Sequence, residues 1–192
     1  MDISNRQGPA TPFPQSFWVI DGLLCAGCYP GDLSSAERDH KLLGLLACGI
    51  RHIVNLMESD ERDLAGRTFE DYSARFTELA AAQSLHAEVT RLPIKDASVP
   101  SEEQMKRILE VLEHSVASKT PTYLHCWGGH GRTSTVIACY LMNRGKSIEA
   151  TFDAITHWRS GLPKKHHPFE GQQEAFVRTW AQRADCSARA TE

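Results

Sequence analysis

Between Tyr123 and Val136 the chain reads YLHCWGGHGRTSTV, which sets Cys126, Arg132 and Thr133 at a fixed spacing. A free thiol titrates near ~8.5, so a cysteine becomes a nucleophile at neutral pH only where its surroundings favour the thiolate. Glycines at 128, 129 and 131 let the backbone turn its N–H groups inward into a concave nest, and the dipole of a following helix reinforces it. Such a nest stabilises a thiolate or cradles a phosphate. Arg132, six positions after Cys126, can fold back and grip two phosphate oxygens with its planar fork, a geometry lysine cannot match. Thr133 brings a hydroxyl to the helix start, near enough to donate to the sulfur when it leaves. His125 precedes the nucleophile and is expected to fix the loop by hydrogen bonds rather than to transfer a proton. Trp127, Gly128, Gly129, His130, Gly131 and Arg132 make up the expected phosphate-binding loop.

These residues need a strand before them and a helix after them, and the sequence offers both. PTYLHC reads as a short apolar strand, and TSTVIACYLMNRG as a largely apolar helix closed by Gly145. Upstream, FWVIDGLLCAG has two apolar runs joined by Asp21-Gly22, a two-residue hairpin signal. LSSAERDHKLLGLLACG reads as a helix and IRHIVNLM as a strand, while the acidic stretch from Glu58 to Asp71 reads as a solvated connection to a helix over Tyr72 to Ser84. AEVTRLPIKD is the next strand, ended irregularly by Pro93. Ser101 and Gln104 form a capping box before Met105, Ile108, Leu109, Leu112 and Val116, one face of a helix. Two further helices are expected over Ser147 to Arg159 and Gly171 to Arg183. The alternation predicts an α/β fold: a single domain with a central, mostly parallel sheet of four or five strands and helices on both faces.

At 192 residues, one domain is the natural size. Residues 1–15 read as a flexible lead-in, 16–185 as the domain and 186–192 as a flexible tail. The 41% hydrophobic and 23% charged fractions suit a soluble protein. No apolar run reaches the ~20 residues of a membrane span, and the opening MDISNRQGPATPFPQ lacks the apolar core of a secretory signal, so a cytoplasmic protein without membrane insertion is expected. A net charge of -3 argues against nucleic acid as partner.

The run H-C-x-x-G-x-G-R-T at 125–133 resembles the signature loop of the cysteine-dependent protein phosphatases, the tyrosine and dual-specificity superfamily, in its bacterial type. The resemblance extends to FWVIDGLLCAGCYPGD, similar to the leading hairpin of that branch, and to HHPFEGQQEAFVRTW, similar to its closing segment. It implies a phosphomonoester hydrolase, a tyrosine or dual-specificity phosphatase with a phosphocysteine intermediate and no cofactor or metal. The substrate is then a phosphorylated protein or small phosphomonoester. Phosphoryl transfer needs a proton for the leaving oxygen, and Asp96, in LPIKDASVP thirty residues before the cysteine, is the expected general acid on its loop. Gln173 matches the position that would orient the attacking water. Two departures stand out: the closing segment is proline-poor, and Ser134 stands where many relatives carry glycine.

Competing readings attach to several residues. His125, Cys126 and His130 suggest a metal site, but neighbours in sequence seldom point at one ion and Arg132 would repel it. A sulfurtransferase or a non-catalytic phosphate binder can share the loop, yet neither uses Asp96. An inositol phosphate or phosphoinositide phosphatase is the alternative within the superfamily. His130 or Lys95 would then meet a further phosphate, although Trp127 replaces the lysine expected directly after the nucleophile. Cys25 and Cys28 form a C-x-x-C that reads as packed strand cysteines rather than a redox or zinc pair, and Cys48 and Cys139 as core fillers. Trp158 and Trp180 are expected to bury core edges. Lys164, Lys165, His166 and His167 form a basic run, either a solvated loop or an anion-attracting rim.

Overall fold

Period-two alternation along four-residue strands sorts the apolar side chains into two cores, one on each face of a sheet. The computed structural model describes residues 9–160, 162, 169 and 171–189. In it, β1 (Ser16–Ile20) and β2 (Leu24–Gly27) form an antiparallel hairpin. β3 (His52–Asn55), β4 (Glu88–Arg91) and β5 (Thr122–His125) complete a five-stranded sheet of order β1-β2-β5-β3-β4, parallel from β2 onward. β5 is central, with His125 level with Gly27 on one side and Asn55 on the other. The loop carrying Cys126 therefore leaves the carboxyl end of the middle strand, where ligands bind in open α/β sheets.

Helices cover both faces. Cys25, Ile53 and Tyr123 turn toward α1 (Ser35–Ala47) and α2 (Ser73–Ala81), packing with Leu42, Leu45, Tyr72 and Phe76. Their sequence neighbours Leu24, Ala26, Val54 and Leu124 turn the other way. They meet α3 (Glu102–Ala117), α4 (Gly131–Asn143), α5 (Ile148–Arg159) and α6 (Gly171–Arg189) through residues such as Met105, Ile108, Ile137, Ile155 and Val177. Every residue of α4 from Arg132 to Met142 is buried, which fits its apolar composition all round. The expected capping box at Ser101 and Gln104 is present, and Ser34 and Ser147 cap α1 and α5. Trp158 stacks on Phe17 and Trp180 is buried with its indole N–H donated to Asn143, both as core residues. No helix among the described residues is long and apolar enough to cross a membrane.

Four expectations need correction. The hairpin loop has three residues, 21–23, because Ile20 pairs with Leu24 after a register shift beyond Trp18. The lead-in is not wholly loose: Phe13 is buried against the edge of Tyr123, and the Trp18 indole N–H donates to Ala10 O at 3.1 Å. α6 continues to Arg189, past the expected domain end at 185. The stretch from Glu58 to Asp71 is not merely solvated, since Glu61 is buried and Phe69 packs in a ring cluster. The basic run Lys164, Lys165, His166 and His167 lies outside the described residues.

Candidate active site

The turn from β5 into α4 buries Cys126 to 3% exposure at the inner end of a pocket of about 650 Å³. The Thr133 hydroxyl donates to Cys126 Sγ at 3.1 Å. Trp127, Gly128, His130, Gly131 and Arg132 line the same pocket. Gly129 does not; with φ at +67° it packs so closely on the Gly27 backbone that no side chain fits there. The loop is tied down at both ends, by Tyr29 N–H donating to Trp127 O and Ser134 N–H to His130 O, each 2.8 Å. His125 is fully buried, its Nδ1–H donated to Cys126 O at 3.1 Å while Nε2 receives the Tyr72 hydroxyl. Burial pushes its pKa down to about 3, so the ring stays neutral at physiological pH and acts as a strut under the loop.

Arg132 is buried with three groups around its guanidinium. Glu61 takes both terminal nitrogens, Oε2 to Nη1 at 2.7 Å and Oε1 to Nη2 at 2.8 Å; Ile94 O accepts from Nη1 at 3.0 Å; and Asp96 Oδ1 reaches Nη2 at 2.8 Å. Burial alone would lower its pKa, but the Glu61 hydrogen bonds and the neighbouring Cys126 and Asp96 outweigh it, leaving a permanent cation. Glu61 is one of the residues that sequence reading missed. It sits 71 positions before Arg132, in a stretch whose acidity looked like solvation. It fixes the plane of the guanidinium and leaves Asp96 as the exchangeable partner, half exposed against the nearly buried Glu61. Glu61→Gln is expected to lower kcat/KM roughly ten- to hundred-fold, because small misplacements of a charge clamp cost that much. The loss should fall mainly on kcat, and an unchanged kcat would refute the positioning role.

The loop that carries Asp96 is held from α6. Gln172 donates to Ala97 O at 2.5 Å and Gln173 to Ser98 O at 3.3 Å. Gln173 is buried against Gly131, where any side chain would collide with its amide. It therefore lies between the Asp96 loop and the glycine loop and faces the pocket. His130 turns its Nδ1 to Arg159, a buried α5 arginine whose Nη1 also donates to Ser134 Oγ at 3.3 Å. The serine found where glycine is usual thus has a partner. Lys95 is exposed and does not line the pocket.

Tyr29, Phe69 and Trp127 make an aromatic wall beside the loop, with ring centroids 5.0 Å apart for Tyr29–Phe69 and 5.3 Å for Phe69–Trp127. Cys25 is buried in β2, its thiol pushed well up by burial, and Cys28 is half-buried on the pocket side with its thiol donating to Gln15 at 3.4 Å. Cys25, Cys28, Cys48, Cys126 and Cys139 all carry free thiols.

Residues 25–188 match the PTP-SAK family, described as Swiss Army Knife protein, DSP-PTPase phosphatase domain. The active form of Tk-PTP superimposes with a TM-score of 0.65 at 26% identity, covering 89% of this chain and 99% of that one. PTPMT1 in complex with PI(5)P shares the fold, with a TM-score of 0.62 at 19% identity over 88% of this chain and 96% of its own. A probable chloroplastic NAD kinase 2 from Oryza sativa subsp. japonica is 33% identical over 94 residues, 49% of this chain and 9% of that protein. The curated relatives are matched over only 9% to 33% of their own lengths.

Proposed function

We propose that this chain, which belongs to the PTP-SAK family of DSP-PTPase phosphatases and is a cysteine-dependent phosphatase, acts on phosphorylated protein as a tyrosine or dual-specificity enzyme through a phosphocysteine intermediate. The supporting observation is convergence: Thr133 on Cys126 at 3.1 Å and Asp96 on Arg132 at 2.8 Å, over one pocket. In the first step the Cys126 thiolate attacks phosphorus, the P–O bond to the leaving group breaks, and protonated Asp96 gives its proton to that oxygen. Arg132 and the loop hold the three equatorial oxygens, where charge is carried through the transition state. In the second step water attacks the phosphocysteine, Asp96 takes its proton, and the sulfur leaves as a thiolate that the Thr133 hydroxyl stabilises. Gln173, between the two loops, orients that water.

The inositol phosphate alternative depends on His130 or Lys95 meeting a further phosphate. His130 has its Nδ1 on Arg159, and Lys95 stands outside the pocket. That placement favours a monophosphate group on a protein side chain. The test is hydrolysis of a small aryl phosphate by the purified protein in excess EDTA. Saturable release of phosphate is expected; no release would overturn the assignment of this pocket as a catalytic site.

A further inference from the structure

We infer that the mouth of this pocket selects an extended peptide whose phosphotyrosine is flanked by large aliphatic side chains, with Leu33 and Leu64 as the residues that read the flank; the inference rests on the phosphatase reading above. Among the described residues only Leu33, Leu43 and Leu64 are exposed large hydrophobics, at 65%, 41% and 95%. Two of the three line the pocket that holds Cys126. Single exposed leucines are ordinary on a protein surface; here two of them, from separate segments, line the pocket that holds Cys126, where a bound substrate would meet them.

The support under Leu64 points the same way. It projects from a short hairpin closed by a bridge between Arg62 and Thr68. Asp63 turns that hairpin, its Oδ1 accepting the Ala65 and Arg67 amides at 2.9 Å each, and its Oδ2 pairs with the Arg67 guanidinium at 2.6 Å. The polar groups of the hairpin are spent on one another, and the leucine at its tip is held out in solvent against no part of the fold.

Charge narrows the occupant. Among the described residues the cations on the outer rim are Arg67, paired with Asp63, and Lys41, paired with Asp32 at 2.9 Å, so neither offers an acidic flank or a further phosphate an unneutralised partner. The same pocket is lined by Tyr29, Phe69 and Trp127, whose rings suit an aryl ester in edge-on contact. One pocket thus presents the glycine loop with Cys126 and Arg132, an aromatic wall and two aliphatic side chains. A phosphotyrosine segment with aliphatic neighbours combines the same three chemistries.

The experiment compares two phosphotyrosine peptides of one length, differing only in carrying leucine or aspartate on both sides of the phosphotyrosine. They are assayed with wild type and with Leu33→Ser/Leu64→Ser, beside a small aryl phosphate and an inositol polyphosphate with wild type. Wild type is expected to favour the leucine peptide in kcat/KM by roughly ten-fold or more, the scale of partly burying two leucines. In the double variant the ratio of the two peptides should fall toward one, a readout that a general loss of activity would not move. Equal rates on the two peptides, a preference that survives in the double variant, or faster turnover of the inositol polyphosphate would each overturn the inference. Absence of turnover on the aryl phosphate would overturn the phosphatase reading itself, which separates the two failures.

Discussion

Cys126→Ser is expected to abolish hydrolysis of an aryl phosphate, with kcat falling by at least ~10⁴-fold, while the protein still binds a phosphotyrosine peptide. The chemical reason lies in the nucleophile: a serine hydroxyl is not ionised at neutral pH, and among the described residues no base is hydrogen-bonded to the side chain at 126 to take its proton. His125 cannot serve, because its two nitrogens are committed to Cys126 O and Tyr72 and burial keeps it neutral. The structural reason for retained binding is that the rest of the cradle does not depend on sulfur. Serine is smaller, so it fits the same position without a clash. Arg132 keeps its contacts with Glu61, and the loop keeps its ties at Tyr29 and Ser134. Peptide binding by fluorescence anisotropy, run beside phosphate release, checks both halves. Residual turnover within ten-fold of wild type would remove Cys126 from the mechanism.

Sequence reading placed Cys126, Arg132 and Thr133 together at the turn from a strand into a helix because nine contiguous residues carry them, and local spacing is what a sequence displays. That strand and that helix were legible for the same reason: apolar run, glycine punctuation and capping serines are local signals. Glu61 was hidden because its meaning is tertiary. Nothing in SDERDL separates one acidic residue that enters the core from its solvated neighbours until the stretch is seen to reach Arg132. Arg159 was hidden likewise, as the last residue of a helix that reads as ordinary and amphipathic. The aromatic wall joins Tyr29, Phe69 and Trp127 from three segments, which no spacing rule connects. Strand order belongs to the same class, since β5 inserts between β2 and β3, far from either in the chain. The corrected hairpin shows the limit even locally: Asp-Gly signalled a turn, and the register shift beyond Trp18 decided its length.

Asp96→Asn should separate the acid's two tasks. In the resting site the carboxylate rests on Arg132 Nη2 at 2.8 Å, on the side of the guanidinium left over once Glu61 has taken its share. A substrate phosphate must take that place, because it too needs the arginine's fork, and the displaced carboxylate, which takes up a proton from solvent as it leaves the arginine, then faces the ester oxygen as proton donor. The half-exposed Asp96 is the partner able to move; Glu61, 5% exposed at its side chain, is not. Asparagine cannot donate that proton as an acid, so kcat on a poor leaving group such as phenol is expected to fall about 10²- to 10³-fold, within the range of general acid catalysis. A leaving group that departs as a stable anion, such as dinitrophenol, needs no proton and should lose less than ten-fold. Asparagine also carries no charge to compete for Arg132, so inorganic phosphate is expected to inhibit the variant at least as strongly as wild type. Rates measured across a series of substituted phenyl phosphates decide the matter. A steeper dependence on leaving-group acidity in the variant supports Asp96 as the acid, and an equal loss at every leaving group would assign the proton to another residue.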